Sequence, residues 1–215
     1  MKLSKKEWQK ALIERYGKDI YTKITSGKVA ICGLGGLGSH IAVTLARAGV
    51  ETLILIDFDR VDITNLHRQQ YNVNQIGMYK TEALSENIKK IAPFTEIKSY
   101  TEKLDKNNYS LLLKDADIIC EAFDDSFCKA ELVNLLRENF PEKYVIASSG
   151  MAGFGDANII HTRKVSKRFY LCGDEVSDVS DGIGLVATRV MLCAAHQAHK
   201  ALQILLTEEG DFYEE

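Results

Sequence analysis

The stretch from Val29 to Asp57 constrains this chain more than any other. A short apolar strand, Val29 to Cys32, opens straight into Gly33-Leu34-Gly35-Gly36-Leu37-Gly38; a helix is expected from about Leu37 to Ala48, and a second strand, Thr52 to Ile56, ends on Asp57. Strand, glycine loop, helix and strand ending in an acid form a mononucleotide-binding βαβ unit. The first glycine permits the tight turn, the second lets backbone approach a phosphate, and the third packs helix on strand. The phosphate then lies against unpaired N–H groups at the positive end of the helix. Asp57 is placed to accept from a ribose hydroxyl. By itself the motif suits NAD and other nucleotides equally.

The segment after Asp57 separates those readings. Phe58 to Gln69 is a polar loop carrying Thr64, Asn65 and Arg68, and Gly77 and Lys80 follow it. A dehydrogenase has no obvious need for an Arg and a Lys just beyond the ribose acid. Cleavage of a triphosphate does, because two fixed cations neutralise charge as pyrophosphate leaves. Taken singly, each cation also reads as a solvated charge near a helix start.

Three blocks in order, GLGGLGS, LIDFDRVDITNLHRQ and IGMYKTEA, resemble the nucleotide half of the ThiF/MoeB/ubiquitin-activating adenylyltransferase family. SSGMAGFGDAN, FYLCGDE and GLVATRVMLCAAHQAHKAL are similar to its short ThiF-like branch, so the resemblance runs from about Ser26 onward. It implies an α/β fold, Rossmann-like and doubly wound, with a mostly parallel sheet, an antiparallel extension and N-terminal and C-terminal helices. It also implies an ATP site in which Gly33, Gly35, Gly36 and Gly38 form the loop and Asp57 holds the ribose. Thr64, Asn65, Arg68 and Lys80 would handle the phosphates. Arg15 resembles an N-terminal arginine that family members extend into the neighbouring subunit's ATP site, which implies a homodimer.

A second acid group follows the fourth expected strand, Ala116 to Ala122, a short apolar run bounded by polar residues. Carboxyl ends of strands line the ligand crevice of an open α/β sheet, and an acid there can hold Mg²⁺ against phosphates. By resemblance Asp124 matches the family's magnesium-binding aspartate. Asp125 stands where the family usually has a neutral residue; it is a candidate nucleotide contact or, more plainly, the cap of a helix starting near Phe127.

A chain of 215 residues with 46% hydrophobic content can bury one large core. One adenylation domain over 1–215 is expected: an N-terminal helix in 1–25, a nucleotide-binding core in 26–150, and an extension, loop and closing helix in 151–215. A formal charge of −3 without a basic block argues against nucleic acid as a partner, unless the chain is a tRNA-modifying dehydratase. The absence of a long apolar run or a signal-like start points to the cytoplasm, with no membrane contact.

The five cysteines, Cys32, Cys120, Cys128, Cys172 and Cys193, are scattered and form no CxxC pair, so no zinc site is expected, although longer relatives carry two such pairs. Cys172 is the one candidate for a covalent link to a sulfur-carrier partner, against a plain strand thiol. His161, His196 and His199 lack a partner at metal-ligand or catalytic spacing and read as surface or packing residues.

Elsewhere the spacing of Trp8, Leu12, Ile13, Tyr16, Ile20 and Ile24 predicts one amphipathic helix from Ser4 to Lys23. Further helices are expected at Tyr79 to Ile91, Asp105 to Leu113, Phe127 to Phe140 and Gly184 to Leu206. Strands are expected at Thr95 to Tyr100 and Tyr144 to Ala147, with Asn158 to Thr162 and Arg168 to Leu171 as an antiparallel extension. Asp174 to Gly184 reads as a mobile loop.

Together these features predict an ATP- and Mg²⁺-dependent adenylyltransferase. Its substrate would be the C-terminal carboxylate of a small β-grasp sulfur carrier ending in Gly-Gly, ThiS-like, in thiamine biosynthesis. Arg68, Lys80, Asp124 and Arg15 would be its catalytic residues. The alternatives are a tRNA-modification dehydratase that also adenylates a carboxylate, an NAD-dependent oxidoreductase on the same nucleotide motif, and a partner subunit that has lost catalysis.

Overall fold

Apolar runs too short for helices set the architecture. A computed structural model describes residues 3–182 and 184–207. Its sheet comprises β1 (Lys28–Cys32), β2 (Thr52–Ile56), β3 (Glu96–Tyr100), β4 (Ile118–Glu121), β5 (Tyr144–Ser148), β6 (His161–Ser166) and β7 (Phe169–Gly173). Their order is β3-β2-β1-β4-β5-β7-β6. All neighbours are parallel except β6 and β7, which are antiparallel. The chain runs outward from β1 through β2 to β3, then crosses back to place β4 on β1's other side. That reversal opens a crevice beyond the carboxyl ends of β1 and β4.

Alternation along each strand feeds two cores. Val29 and Ile31 of β1 and Leu53 and Leu55 of β2 face helices α3 (Gly36–Ala48), α4 (Lys80–Ile91) and α7 (Ala187–Leu206). Ala30, Cys32, Ile54 and Ile56 face α5 (Tyr109–Leu113) and α6 (Ser126–Asn139). Both faces of the central strands are covered, which is why they read as unbroken apolar runs. β6 closes one edge, largely exposed and carrying His161, Arg163 and Lys164, charges that discourage pairing with another sheet.

Several boundaries differ from the sequence expectation. The single N-terminal helix is two, α1 (Lys5–Tyr16) and α2 (Lys18–Ser26). Gly17 sits between them at φ +81°, its N–H closing α1 on Ile13 O at 2.8 Å. Glycine alone adopts that backbone without strain, so the stripe does not continue as one helix. α1 buries no residue and only Ile24 of α2 is buried.

α5 begins four residues later than expected, because Asp105 and Asn108 use their side chains on local amides and hold 105–108 as a turn. Asn158 and Ile159 lie in a 3₁₀ turn, so the extension starts at His161. The extension is half parallel, since β7 joins β5 in parallel and only β6 runs the other way. α7 starts at Ala187, not Gly184. Positions 208–215 of the expected closing region lie outside the described residues.

Candidate active site

The crevice encloses about 780 Å³ between the glycine loop, the ends of β2 and β4, and the segments after β5 and β7. Gly33 turns the chain at φ +90°, and a Cβ there would meet Ala122 O at 2.8 Å and the Phe123 ring at 3.0 Å. A Cβ on Gly36 would come within 2.8 Å of Val190 Cγ1 on α7, and one on Gly38 would overlap Gly33 O. Gly38 thus packs helix against loop and does not itself line the crevice, whereas Gly33, Gly35 and Gly36 do. α3 starts without a side-chain cap, so its first-turn N–H groups stay available to an anion.

Asp57 is buried at the end of β2 and braces the loop. Its Oδ2 accepts from Leu34 N at 2.6 Å and its Oδ1 from Asp59 N at 2.7 Å, while Tyr71 donates its hydroxyl to Leu34 O at 2.7 Å. Burial pushes the Asp57 carboxyl above its ordinary value, and Lys80 and the two amides oppose that shift. Lys80 opens α4 and is itself buried. Its Nζ lies 2.7 Å from Asp59 Oδ2 and 4.0 Å from Asp57 Oδ2. Asp59, its nearest partner, was not singled out in the sequence.

Arg68 and Asn65 reach the crevice; Thr64 does not. Asp62 caps the 3₁₀ turn Ile63–Asn65, and the Thr64 hydroxyl donates to Asp62 Oδ1 at 2.6 Å. Arg68 donates from one terminal nitrogen to Thr64 O at 3.1 Å, but its buried Nε has no partner among the described residues. The buried Oε1 of neighbouring Gln69 is likewise unpaired, and Gln69 also lines the crevice. Its 8% exposure in a polar loop was not visible in local pattern.

At the β4 end the two aspartates divide. Asp124 is exposed at the crevice and makes no hydrogen bond or ion pair among the described residues. Asp125 caps α6, Oδ1 accepting from Cys128 N at 2.7 Å, and that bond holds its carboxyl below the ordinary value. The capping reading of Asp125 is therefore the geometry found, although the residue also borders the crevice.

One buried pair beside them has no signature in local spacing. Glu121 is fully buried, and Lys129 Nζ reaches its two oxygens at 2.9 and 2.7 Å and Ser148 Oγ at 3.1 Å. Burial pushes the Glu121 carboxyl up, with Lys129 working against it. An acid inside the run Ile118-Ile119-Cys120-Glu121-Ala122 was the available signal, since a buried charge requires a partner.

Other candidates lie apart. Arg15 is exposed on the last turn of α1 and does not border its own chain's crevice. Cys172 is buried in β7, outside the crevice lining, and burial pushes its thiol up to about 11. It is a strand thiol beside Thr162 Oγ1 at 3.4 Å. His196 Nδ1 lies 3.0 Å from the same hydroxyl, and His161 Nδ1 lies 2.9 Å from Ile159 O. Among the described residues no three His, Cys, Asp or Glu side chains group as a metal cluster. A single exposed carboxylate suits Mg²⁺, which takes one or two carboxylates and completes its shell with phosphate oxygens and water.

Known proteins resemble this chain in sequence and in fold. Adenylyltransferase and sulfurtransferase UBA4 of Candida glabrata is 29% identical over 209 residues, covering 89% of this chain and 48% of the relative. The tRNA threonylcarbamoyladenosine dehydratase of Haemophilus influenzae is 31% identical over 154 residues, 71% of this chain and 58% of that protein. The chain thus spans roughly half the length of these curated relatives. In three dimensions it superimposes on the Escherichia coli tRNA N6-threonylcarbamoyladenosine dehydratase, TcdA, solved in complex with ATP. The TM-score is 0.84 at 21% identity, covering 97% of this chain and 98% of that one. The ThiF family model matches residues 9–214, from the middle of α1 to beyond α7, and the chain belongs to the ThiF family.

Proposed function

We propose that this chain adenylates a carboxylate with ATP. One juxtaposition carries the reading: an uncapped glycine loop, a ribose-level acid at Asp57, the two cations Arg68 and Lys80, and the unpartnered Asp124 all border one crevice. An acceptor carboxylate oxygen would attack the α-phosphorus as the bond to pyrophosphate breaks, giving an acyl-adenylate and pyrophosphate. Arg68 and Lys80 bear on the charge that develops on the departing group, and a preorganised donor of this kind is worth about 10²–10³ in rate. Asp124 is the residue that would hold Mg²⁺, which when bound supplies further neutralisation of the phosphate oxygens. The protein's share is positioning and charge. An NAD-dependent oxidoreductase finds no support in these relatives.

Two acceptors fit that chemistry. The Haemophilus relative favours a dehydratase acting on threonylcarbamoyladenosine in tRNA, whose threonyl carboxylate would be the group activated. This replaces the ThiS-like carrier as the leading reading, and with it the expectation, drawn from net charge, that nucleic acid is no partner. The UBA4 relative, named as both adenylyltransferase and sulfurtransferase, supports the second reading, a carrier protein ending in Gly-Gly. In either case a symmetric dimer is part of the proposal, because Arg15 is exposed and lies away from its own crevice, and two-fold pairs are the commonest closed oligomers. Among the described residues no helix is long and apolar enough to cross a membrane.

Exchange of radiolabelled pyrophosphate into ATP tests the reading. Exchange that requires tRNA bearing threonylcarbamoyladenosine supports the first acceptor, and exchange that requires the Gly-Gly carrier supports the second. No exchange and no AMP release with either would overturn carboxylate adenylation.

A further inference from the structure

The crevice has a second wall, opposite the glycine loop, made of residues 149–152 after β5 and 177–179 after β7. Polar contacts hold it together, and they converge on Asp174 and Glu175. Asp174 is 8% exposed; its Oδ1 accepts from Val176 N at 2.9 Å and Ser177 N at 2.8 Å, and its Oδ2 accepts from the Ser177 hydroxyl at 2.8 Å. The Ser177 hydroxyl oxygen in turn accepts from Ala152 N at 3.0 Å, which ties the two segments to each other. Asp174 also pairs with Arg189 of α7, 3% exposed, whose guanidinium donates again to Asp156 O at 2.9 Å. Gly150 is at φ +75°, and a Cβ there would overlap Asp174 Oδ1.

Glu175 adds a second hold. At φ +59° it is the one non-glycine residue in the left-handed region among the described residues. Such a backbone persists only where the surroundings over-determine it. Here Arg163 of β6 grips both Glu175 oxygens, from Nε and a terminal nitrogen, each at 2.7 Å, while Glu175 N donates to Ser149 O at 2.9 Å. On α7 the residue after Arg189 is Val190, which lies against Gly36 of the nucleotide loop. One turn of helix therefore touches both walls.

We infer that Asp174 and Glu175 are positioning residues for the acceptor, locking the 149–152 and 177–179 segments as a fixed wall across the crevice from the nucleotide loop. The loop-side residues Asp57, Arg68 and Lys80 find their partners within their own half of the crevice. The volume between the walls is left for the attacking group, and the angle at which it meets the α-phosphate is set by the latched wall. This last step rests on the adenylation reading; the latch does not.

The experiment uses the full chain with Asp174→Asn and, because its pair is partly exposed and expendable for folding, Arg163→Gln. Amide hydrogen exchange without substrate should quicken by about tenfold at Ala152, Val176 and Ser177 in Asp174→Asn, the scale of one lost charge-assisted hydrogen bond. Amides of β1 and β2 should be unchanged. In Arg163→Gln the acceleration should be confined to 175–177. ATP Kd should stay within about twofold of wild type while kcat/KM for the acceptor, assayed with threonylcarbamoyladenosine tRNA and with a Gly-Gly carrier, falls about tenfold. Unchanged exchange at those amides in both variants, or only in Arg163→Gln should Asp174→Asn not fold, overturns the latch. Faster exchange with ATP Kd and acceptor kcat/KM changing together, or with neither changing, overturns the acceptor role. If wild-type protein turns over neither acceptor, the adenylation reading has failed, and the amide-exchange result alone decides the latch.

Discussion

Replacing Lys80 by Met should make this protein's stability fall with rising pH more steeply than the wild type's does. The ammonium is buried, 4.0 Å from Asp57 Oδ2 and 2.7 Å from Asp59 Oδ2, and Met fills its volume without the charge. Asp59 is half exposed and tolerates the loss; Asp57 is buried and does not. At 4 Å and an effective dielectric near 20, the attraction forfeited is about 4 kcal/mol, and truncating one member of a buried pair costs about 3–5 kcal/mol. The two backbone amides on Asp57 and the relief of no longer burying an ammonium work in the other direction. A net cost of about 2–4 kcal/mol at neutral pH is expected, a fall in Tm of roughly 4–16 °C at this chain length.

The sign with pH follows from Asp57. Burial already raises its folded pKa above the unfolded value, and removing Lys80 raises it further. A carboxyl shifted this way contributes stability at low pH, where it is protonated in both states, and loses it as pH rises through the folded value. The gap between wild type and Lys80→Met should therefore be small in acid, near the ordinary carboxylate value of about 4, and widen as pH rises toward neutrality. Urea unfolding across that range measures it. Asp57→Asn in the Lys80→Met background should restore most of the neutral-pH loss, since no buried charge is then left unpaired. A gap independent of pH, or one widest in acid, would refute the reasoning.

Arg68→Ala should fold normally, because the side chain borders the crevice, and lose about 10²–10³ in pyrophosphate exchange rate; wild-type kinetics would remove it from the site. Asp124→Asn should leave stability unchanged and weaken Mg²⁺-dependent turnover far more than metal-free ATP binding, measured by calorimetry with and without the cation. Of the five cysteines only Cys128 is outside the core, so a thiol reagent should label it alone in native protein and label all five after denaturation. Its thiol is pushed up by Asp125, so labelling should quicken as pH rises. Prompt native labelling of Cys172, whose thiol is pushed up to about 11, would contradict its burial.

The central strands were legible because parallel strands covered on both faces must be apolar throughout. β2 spans Thr52–Ile56 as expected from its run, and β1, β4 and β5 differ by at most two residues at an end. The N-terminal helix failed for a local reason equally visible in the sequence: Gly17 interrupts the stripe, and a mid-helix glycine costs about 1 kcal/mol against alanine. β6 failed because an exposed edge strand has no burial to impose a pattern. In the site, residues on the glycine loop and at strand ends were found from their order along the chain. The partners were not: Lys80 with Asp59, Lys129 with Glu121 and Arg189 with Asp174 are separated by 21, 8 and 15 positions. A charge embedded in an apolar stretch, as Glu121 and Arg189 are, announces that a partner exists. Which residue answers is decided by topology, through the crossover that sets β4 beside β1 and the reach of α7 across the sheet.

That division bears on how the site works. The groups that shape the loop are saturated before any substrate arrives: Leu34 has both its N–H and its C=O engaged, by Asp57 and Tyr71, and Asp57 has a donor on each oxygen. Of the polar groups without a partner among the described residues, Arg68 Nε, Gln69 Oε1 and Asp124 border the crevice, while Arg189 Nε and Gln197 Oε1 lie outside its lining. A buried polar atom left unpaired costs about 1–3 kcal/mol, so Arg68 Nε and Gln69 Oε1 are the groups on which a polar ligand of the crevice would gain most. The three at the crevice are mixed in sign, one cationic donor, one neutral acceptor and one anion. A site built only for phosphate would need cations alone; an acceptor oxygen and a free carboxylate beside them suit a ligand that also brings donors and a cation, which is how the proposed nucleotide with Mg²⁺ would fit.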